Sequence, residues 1–471
     1  MAAAARLASK GYEVTVYEKN NYPGGKLGLL LQDGYTFDTG PSLFTQPYVL
    51  ETLFRDCGEN PEDYLTYRKL DINTRYFYED GTVFTAYSDI NALAREVADV
   101  FKTSPAILNR FLAHAANAYN YIGRIFLDEP IHHYKTWLSR RILKALQHVR
   151  PAYLLQSMHA YHKAELKHPK LVQLFDRFAT YNGSDPYKAP AMLSMIAHLE
   201  MNEGAYYPNG GMISITNALY KLCVLKGVTF EFNSRVEKIM VEGNTVKGIV
   251  ANSIAHKYDK VISNSDVYYT YQNLLSNGKI AGKLKLQERS SSALIFYWGI
   301  NKPFPQLQLH NIFFSNDYRA EFKALFDTKT VYSDPTVYIN ITSKMESTHA
   351  PEGCENWFVL VNVPAGITDD MVAEMKRCTI DKLSRMLQTD IAAHIATESV
   401  LTPTTIEVRT ESYMGALYGT ASNNPFAAFK RHPNQSKKYS GLYFAGGTVH
   451  PGGGIPLCLR SGKLVADAVC G

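Results

Sequence analysis

The first eighteen residues combine a helical apolar stretch with a short strand. Ala2 to Ala8 is a run of small apolar residues typical of a helix, and Gly11 is suited to end it. Residues 14–18 then alternate apolar and polar side chains and finish on an acid, as half-buried strands do. A helix, a tight turn and a strand ending in an acid form the second half of a βαβ nucleotide-binding unit. The pattern therefore predicts that a strand and a glycine-rich turn precede Met1.

Further along the chain, helical and strand patterns occur in blocks. A helical pattern dominates from about residue 90 to 200, and a closing helix is predicted from Pro456 to Val469. Turn residues at Asp80-Gly81 and at Glu242-Gly243-Asn244 predict two hairpins. Other predicted strands are Lys260 to Ser263, Ser291 to Ile300, Thr336 to Lys344, Asn356 to Pro364 and Gly441 to Gly447.

These blocks predict an α/β fold with a discontinuous nucleotide-binding domain. Its three parts are expected at residues 1–75, 206–285 and 431–471. A substrate domain of the α+β type would be inserted in two parts: a hairpin and helical part at 76–205, and a sheet with helices at 286–430. A simple dehydrogenase would keep its binding unit contiguous.

Composition excludes several classes of function. The net charge of +5 over 471 residues is mild, and no basic block has the spacing of a nucleic-acid-binding motif. Six scattered cysteines without a CxxC pair indicate free thiols in a reducing compartment and no zinc site. No apolar run approaches bilayer length, and the opening lacks signal-peptide regions, so we expect a cytoplasmic location.

Two short motifs near the N-terminus are candidate ligand contacts. An acid at the position of Glu18 can accept hydrogen bonds from both ribose hydroxyls of a dinucleotide. A surface carboxylate is the alternative, but the position at the strand end and the PGG that follows favour the ribose contact. The stretch Pro23-Gly24-Gly25-Lys26 lets the backbone pass close to a ligand and places a cation beside it. A plain turn with a solvated lysine would have the same sequence.

The most informative stretch is YFAGGTVHPGGGIPLCLRSGKLVADAV, residues 443–469. A predicted strand leads into Gly446-Gly447, and the chain loops through three further glycines before a helix begins near Pro456. The start of a helix presents free N–H groups and a partial positive charge. Such an end can stabilise the anion that develops on a reduced isoalloxazine ring.

Taken together, five motifs resemble the bacterial-type phytoene desaturases, which are FAD-dependent carotenoid desaturases of the wider amine-oxidase-like flavoprotein group. The motifs are Glu18 with PGGK, DGYTFDTGPSLFT (33–45), GAYYPNGGM (204–212), VISNSDV (261–267) and GGTVHPGGGIP (446–456). Their order is specific, and the resemblance runs through the whole chain. It is weakest in the helical middle, where substrate preference would be set.

The resemblance implies an FAD site and assigns a role to each matching position. Glu18 would hold the adenosine ribose, and the backbone of Val236 would contact the adenine. No residue is nominated as catalytic, and no metal is implied. The remaining implied cofactor contacts are Gly24, Gly25 and Lys26 along the cofactor; Gly40 and Pro41, with Asp38, bordering the approach to the ring; Gly446, Gly447 and Thr448 near the ribityl chain; and Gly454, Ile455 and Pro456 under the pyrimidine edge.

The function implied is desaturation of a long polyene, with a hydride passing to the flavin and quinone or oxygen as electron acceptor. The stretches 181–190 and 340–364 are more similar to hydroxycarotenoid 3,4-desaturases than to desaturases acting on phytoene. Phytoene desaturation and carotene isomerisation are the alternatives within the family. A non-redox isoprenoid carrier resembling GDP-dissociation inhibitors is the alternative from another class, and a soluble amine oxidase is a weaker one.

Residues 121–170 combine nine Lys or Arg with interleaved apolar side chains, including Ile142, Leu143, Leu146, Leu154 and Leu155. This pattern is typical of a helical surface resting on anionic headgroups, but an ordinary solvated face would share it. Because a carotenoid dissolves in lipid, we expect peripheral association with the inner membrane.

The same window holds six of the 14 histidines. His159 and His162 have the spacing of metal ligands on one helical face. No partnering acid or cysteine cluster is evident in the sequence, so we expect solvated side chains there instead.

Overall fold

The computed structural model describes residues 1–148, 150–368 and 370–471, except for the side chains of residues 135, 143 and 146. The strands are β1 Thr15–Tyr17, β2 Leu29–Gln32, β3 Tyr35–Asp38, β4 Tyr67–Lys69, β5 Ile72–Phe77, β6 Val83–Tyr87, β7 Tyr206–Pro208, β8 Thr229–Glu231, β9 Val236–Glu242, β10 Thr245–Ala251, β11 Ile254–Lys257, β12 Val261–Ser263, β13 Ser292–Ile300, β14 His310–Phe313, β15 Val337–Asn340, β16 Glu355–Val363, β17 Ile395–Leu401 and β18 Leu442–Phe444.

The α-helices are α1 Ala2–Ala8, α2 Pro47–Asp56, α3 Ile90–Phe101, α4 Pro105–Ala118, α5 Arg124–Asp128, α6 Tyr134–Trp137, α7 Arg140–Leu146, α8 Pro151–Leu155, α9 Met158–Leu166, α10 Pro169–Asp176, α11 Ile196–Met201, α12 Ile213–Leu225, α13 Val267–Tyr269, α14 Gly278–Lys285, α15 Tyr318–Lys323, α16 Asp370–Leu387, α17 Pro403–Thr410, α18 Ala427–Lys430 and α19 Ile455–Cys470. Short 3₁₀ and π turns connect several of them.

Elements far apart in the chain meet in a layer of parallel strand pairs and helices. Strand β1 pairs with β8, and β12 pairs with β18, both in parallel. Helices α1 and α19 cross closely because α19 has Gly462 at the crossing, where a Cβ atom would lie 2.8 Å from the Cβ of Ala2. Parallel strands joined by helices are the arrangement predicted for the nucleotide-binding domain. The α/β class is therefore confirmed, whereas the numerical domain boundaries stay predictions.

The other main layer is a seven-stranded sheet in the order β17-β13-β16-β15-β14-β5-β6. Side chains alternate across it, so each strand supplies two faces. On the outer face, Trp298 and Trp357 are fully buried together with the apolar side of α16. The hairpin predicted at Asp80-Gly81 is β5–β6 and joins this sheet through β14.

The inner face of this sheet carries a continuous apolar row, fixed by strand register. Tyr76 lies opposite Ile312, which lies opposite Tyr338. Tyr338 in turn is opposite Leu360, and Leu360 is opposite Ile295. Tyr338 and Leu360 are only half-buried although their strands have neighbours on both sides. Both side chains therefore keep some accessible surface on this face.

One predicted strand is shorter than expected. The segment Thr336 to Lys344 is a strand only over β15, and a 3₁₀ turn follows at Thr342–Lys344. The Oγ1 of Thr342 contacts both His349 Nδ1 (2.9 Å) and the side-chain amide of Asn356 (2.6 Å). These side-chain bonds favour a turn in place of further strand pairing.

The expectation of solvated histidines in the helical middle is wrong for His162. Its side chain is buried: Nδ1 lies 2.7 Å from Asp176 and Nε2 lies 2.8 Å from the hydroxyl of Ser194. His159 Nδ1 contacts the other oxygen of Asp176, also at 2.7 Å. The partnering acid comes from the next helix, since α9 and α10 pack together, and so it has no signature near the histidines in the sequence.

A core substitution on the outer sheet face tests this packing. Leu383 in α16 is fully buried among the outer-face side chains, so Leu383→Ala should lower the free energy of unfolding by about 2–5 kcal/mol. Urea denaturation followed by circular dichroism measures the change. Leu286→Ala is the control, since Leu286 is 88% exposed and its loss should cost less than about 0.5 kcal/mol. Equal effects of the two substitutions would contradict the core assignment.

Candidate active site

The PGGK turn brings the backbone close to two other segments. Gly24 has φ +101°, and a Cβ there would lie 2.6 Å from Thr216 in α12. Gly40 is packed even more tightly, because its Cβ would lie 2.0 Å from the carbonyl oxygen of Lys26. Glycine is therefore required at both positions. The sequence-predicted residues Gly24, Lys26, Gly40 and Pro41 thus lie together.

The C-terminal glycine loop forms the opposite side of the site. β18 leads into Gly446, whose φ is +107° and whose N–H donates to Ser461 Oγ at 3.1 Å. Thr448 Oγ1 accepts a hydrogen bond from the backbone of Val267 at 3.2 Å. Gly454 precedes α19, and Pro456 occupies its first turn as predicted, where no N–H is needed. The loop therefore delivers the N-terminal end of a long helix to the site.

A short segment, Leu417-Tyr418, joins the two sides. Lys26 Nζ donates to the carbonyl of Leu417 at 3.1 Å. On the other side, a Cβ at Gly453 would lie 2.9 Å from the ring of Tyr418. We call the surface formed by the PGGK turn, residues 417–418 and the loop 446–456 the seat.

Arg431 is the main functional residue that sequence reasoning missed. Its guanidinium is buried and donates to the carbonyls of Tyr418 (3.0 Å), Gly447 (2.9 Å) and Thr420 (2.8 Å). Burial lowers the pKa of Arg431 to about 10, so it remains charged at neutral pH. An arginine in the stretch Lys430-Arg431-His432-Pro433 has no recognisable local signature, and only the fold brings it to the seat.

The seat is electropositive. Burial lowers the pKa of the Lys26 amine, although the side chain retains some accessible surface, which is consistent with an internal space next to it. The positive end of α19 adds to the charges of Lys26 and Arg431. Cys458, one turn into α19, has its thiol pKa raised by burial and stays neutral. This environment favours an anion held against the helix start.

A second region lies at the end of β1. Glu18 Oε1 accepts hydrogen bonds from the backbone (2.9 Å) and side-chain (2.8 Å) nitrogens of Asn20. Its backbone carbonyl accepts from Ser234 N at 2.9 Å, which places Glu18 beside the start of β9 at Val236. The two residues predicted to hold the adenosine part of a dinucleotide are thus brought together, away from the seat.

The segment before α2 attaches the inner sheet face to the seat. Tyr297 donates its hydroxyl hydrogen to the carbonyl of Thr39 at 3.0 Å, and Ser42 Oγ lies 2.7 Å from the hydroxyl of Tyr338. Asp38 caps the start of α12 by accepting from Met212 N (2.9 Å) and Ile213 N (3.0 Å). Burial raises the pKa of Asp38 to about 6. The inner sheet face is therefore joined through the segment 39–42 to the PGGK turn, on which Gly40 packs.

The family relationship follows from comparison with known proteins. A family model described as flavin containing amine oxidoreductase matches residues 1–470. The chain belongs to this family. The chain is 46% identical to a 1-hydroxycarotenoid 3,4-desaturase of Flavobacterium sp. (strain P99-3), covering 100% of this chain and 96% of that protein. It is 33% identical to a 4,4'-diaponeurosporene oxygenase of Staphylococcus haemolyticus (strain JCSC1435), covering 100% and 94%.

Solved structures agree on the fold. Putrescine oxidase with bound putrescine superposes with a TM-score of 0.64 over 100% of this chain and 96% of that one, at 14% identity. The chain is thus an FAD-dependent oxidoreductase of the flavin-containing amine oxidoreductase family, which confirms the predicted resemblance, fold and cofactor. The individual cofactor contacts stay predictions.

The residues of the seat fit a flavin. A Cβ added at Gly25 or at Gly454 would meet no atom within 4 Å, so both glycines border open space. These positions belong to the two opposing loops, and the helix start and two cations lie beside them. A flat ring that becomes anionic on reduction needs such a space together with positive potential. Lys26, Arg431 and the backbone at Gly454 and Ile455 are the groups that would hold it.

Two other features lie outside the seat. Ser194, His162 and Asp176 are hydrogen-bonded in the order of a nucleophilic triad, but all three are buried, and Ser194 is only 2% exposed. No substrate reaches it, so we interpret this trio as structural. Within the described ranges, no group of three or more His, Cys, Asp or Glu side chains is arranged to hold a metal ion.

A substitution at Gly40 tests the seat. Because its Cβ would collide with the backbone of Lys26, Gly40→Ala should displace the PGGK turn and weaken flavin binding at least about tenfold. The ratio of flavin to protein absorbance after purification measures the loss. Gly282→Ala is the matched control, since no atom lies within 4 Å of its added Cβ and it sits in α14. Flavin contents that match between the two variants would refute this packing role.

Proposed function

We propose that this FAD-dependent oxidoreductase desaturates a long acyclic carotenoid, introducing the 3,4 double bond into a 1-hydroxycarotenoid. The observation that carries the proposal is that the inner face of the seven-stranded sheet bears an apolar row and is hydrogen-bonded to the segment 39–42, which packs on the PGGK turn of the electropositive seat. The full-length similarity to a 1-hydroxycarotenoid 3,4-desaturase supports the same substrate class. An amine substrate would instead call for polar or acidic groups along that wall.

Desaturation removes a hydride and a proton from adjacent carbons, and the two electrons leave the site on a quinone or oxygen. FAD supplies the two-electron oxidation when bound. The role of the protein is to align the polyene, to exclude water and to stabilise negative charge at the seat. Ile295, Tyr338 and Leu360 offer a flat apolar wall for this alignment. Conjugation delocalises the positive charge left on the substrate, so no strong base is needed.

Anaerobic flavin reduction tests the proposed reaction. The protein loaded with FAD should lose its visible flavin band when mixed with a 1-hydroxycarotenoid in detergent micelles, and the product should gain one conjugated double bond by chromatography. Putrescine serves as the control substrate and should leave the flavin oxidised. A flavin reduced by the amine and not by any carotenoid would overturn the proposal. A quinone or oxygen is then added to the reduced protein in separate samples. The compound that restores the visible flavin band faster is the electron acceptor.

The protein's contact with a membrane is the second part of the proposal. No helix in the described segments is both long and apolar enough to cross a bilayer. An apolar patch of exposed side chains is nevertheless present, comprising Tyr134 (67% exposed), Leu138 (79%), Phe426 (66%) and Phe429 (41%). Leu154 (56%) and Leu155 (83%) in α8 are exposed as well.

Two chain segments build this patch. Phe429 packs its ring against Phe126 (5.4 Å between centroids) and Trp137 (5.5 Å), which brings the 426–429 segment onto α5 and α6. Arg140, Arg141 and Lys144 in the following helix are exposed and basic. Exposed apolar side chains next to exposed cations fit the surface of an anionic bilayer. The side chains of Lys135, Leu143 and Leu146, named in the sequence pattern, lie outside the described residues.

Vesicle binding tests the patch. Leu138→Glu combined with Phe426→Glu should reduce co-sedimentation with anionic phospholipid vesicles by about tenfold or more, because two apolar contacts are lost and two negative charges are added. Leu31→Glu is the control, since Leu31 is 70% exposed on β2, outside the patch. If the double variant sediments with vesicles as well as the wild type, the patch does not bind membranes.

A further inference from the structure

A polar side chain, Asn362, stands next to the apolar row of the inner sheet face. Asn362 lies on β16, on the same face as Phe358 and Leu360. It is half-buried, whereas both neighbours along the strand, Val361 and Val363, are fully buried on the other face. A polar amide in the middle of an apolar wall costs free energy unless a partner satisfies it.

Protein contacts fix the orientation of this amide. Ser291 Oγ donates to Asn362 Oδ1 at 3.3 Å. The carbonyl oxygen of the amide is therefore used by the protein. In the described residues, no hydrogen bond is found for the amide NH₂ group of Asn362. Since the side chain keeps accessible surface, the two N–H donors face the open space.

A short chain of bonds connects Asn362 to the seat. The carbonyl of Ser291 accepts from Leu417 N at 3.2 Å, and the carbonyl of Leu417 accepts from Lys26 Nζ at 3.1 Å. Asn362 is thus linked through Ser291 and Leu417 to the side of the seat that carries Lys26. A donor at this place meets the part of a substrate next to the reacting bond.

This position matches the chemistry of a hydroxylated substrate. In a 1-hydroxycarotenoid that is desaturated at the 3,4 bond, only C2 lies between the carbon carrying the oxygen and the nearer reacting carbon. The hydroxyl must therefore lie beside the seat when the 3,4 bond lies on it. We infer that Asn362, held by Ser291, donates a hydrogen bond to the substrate hydroxyl and sets the preference for hydroxylated over non-hydroxylated carotenoids. This inference rests on the proposed function.

The preference follows from desolvation. When a hydroxylated substrate binds, the amide exchanges water for the substrate oxygen. When a hydrocarbon binds, the same amide is buried without a partner. The unpaired amide lowers the affinity for the hydrocarbon strongly. We expect the hydroxylated substrate to bind about 10- to 100-fold more tightly than its hydrocarbon parent.

Substitution of the amide tests the inference. Asn362→Leu should weaken binding of the hydroxylated carotenoid, whose hydroxyl loses its donor, and should tighten binding of the hydrocarbon, which no longer buries an unpaired amide. The preference of about 10- to 100-fold should therefore disappear. Ser291→Ala removes the hydrogen bond that orients the Asn362 amide. It should reduce the preference for the hydroxylated carotenoid by about three- to tenfold. Asn301→Leu, at an exposed position after β13, is the control and should keep the wild-type ratio.

Two readouts separate this inference from the proposed function. The dissociation constant of each carotenoid, measured from the circular dichroism that binding induces in its visible band, needs no turnover. Anaerobic flavin reduction by either carotenoid tests desaturation itself. If both carotenoids bind with equal affinity and reduce the flavin at equal rates, the role of Asn362 is overturned and desaturation still stands. Tight binding of both without any flavin reduction would overturn the proposed function. If Asn362→Leu fails to fold, an unchanged preference in Ser291→Ala refutes the inference.

Discussion

The active-site geometry depends on one buried guanidinium. Arg431 donates to carbonyls at positions 418, 420 and 447, which belong to two segments that contact each other at glycines, Gly453 against Tyr418 and Gly419 against Thr448. Glycine-rich loops cannot bury apolar side chains against each other, so a central donor takes the place of a core. Hydrogen bonds to a charged group contribute about 1.5–3 kcal/mol each. With no carboxylate among these three partners, the positive charge remains available to the ligand on the seat.

The second constraint is the alternation of side chains in the seven-stranded sheet. One face packs against α16 and is closed, with Trp298 and Trp357 fully buried. The other face is anchored to the 39–42 segment by Tyr297 and Tyr338, and most of it is buried, although Tyr338 and Leu360 keep accessible surface. Strand register therefore decides at the same time what stabilises the sheet and what faces the substrate. A one-residue slip in β16 would exchange the buried valines with Leu360 and Asn362.

Local patterns predicted most of the fold and only part of the site. Helix α1, the long strands β13 and β16, and the proline start of α19 were predictable because periodicity and turn residues act over neighbouring positions. The glycine loops were predictable because close backbone approach demands glycine. Arg431 and the contact of Lys26 with Leu417 were not, since their partners are determined by the tertiary fold. The burial of His162 was missed for the same reason: its acid and hydroxyl partners come from separate helices.

The helical segment that carries the apolar patch is attached directly to the glycine loop. Arg460 in α19 pairs with Asp128 at the end of α5, and His450 Nε2 lies 2.9 Å from the carbonyl of Glu129. Burial lowers the pKa of His450 to about 4, so the ring is neutral, and Nε2 must carry the hydrogen because a carbonyl only accepts. The same two residues, Asp128 and Glu129, lead into the exposed α6 that bears Tyr134. A displacement of this segment would therefore be transmitted to the loop at His450, because two buried side chains, Arg460 and His450, bond it to α19 and to the loop.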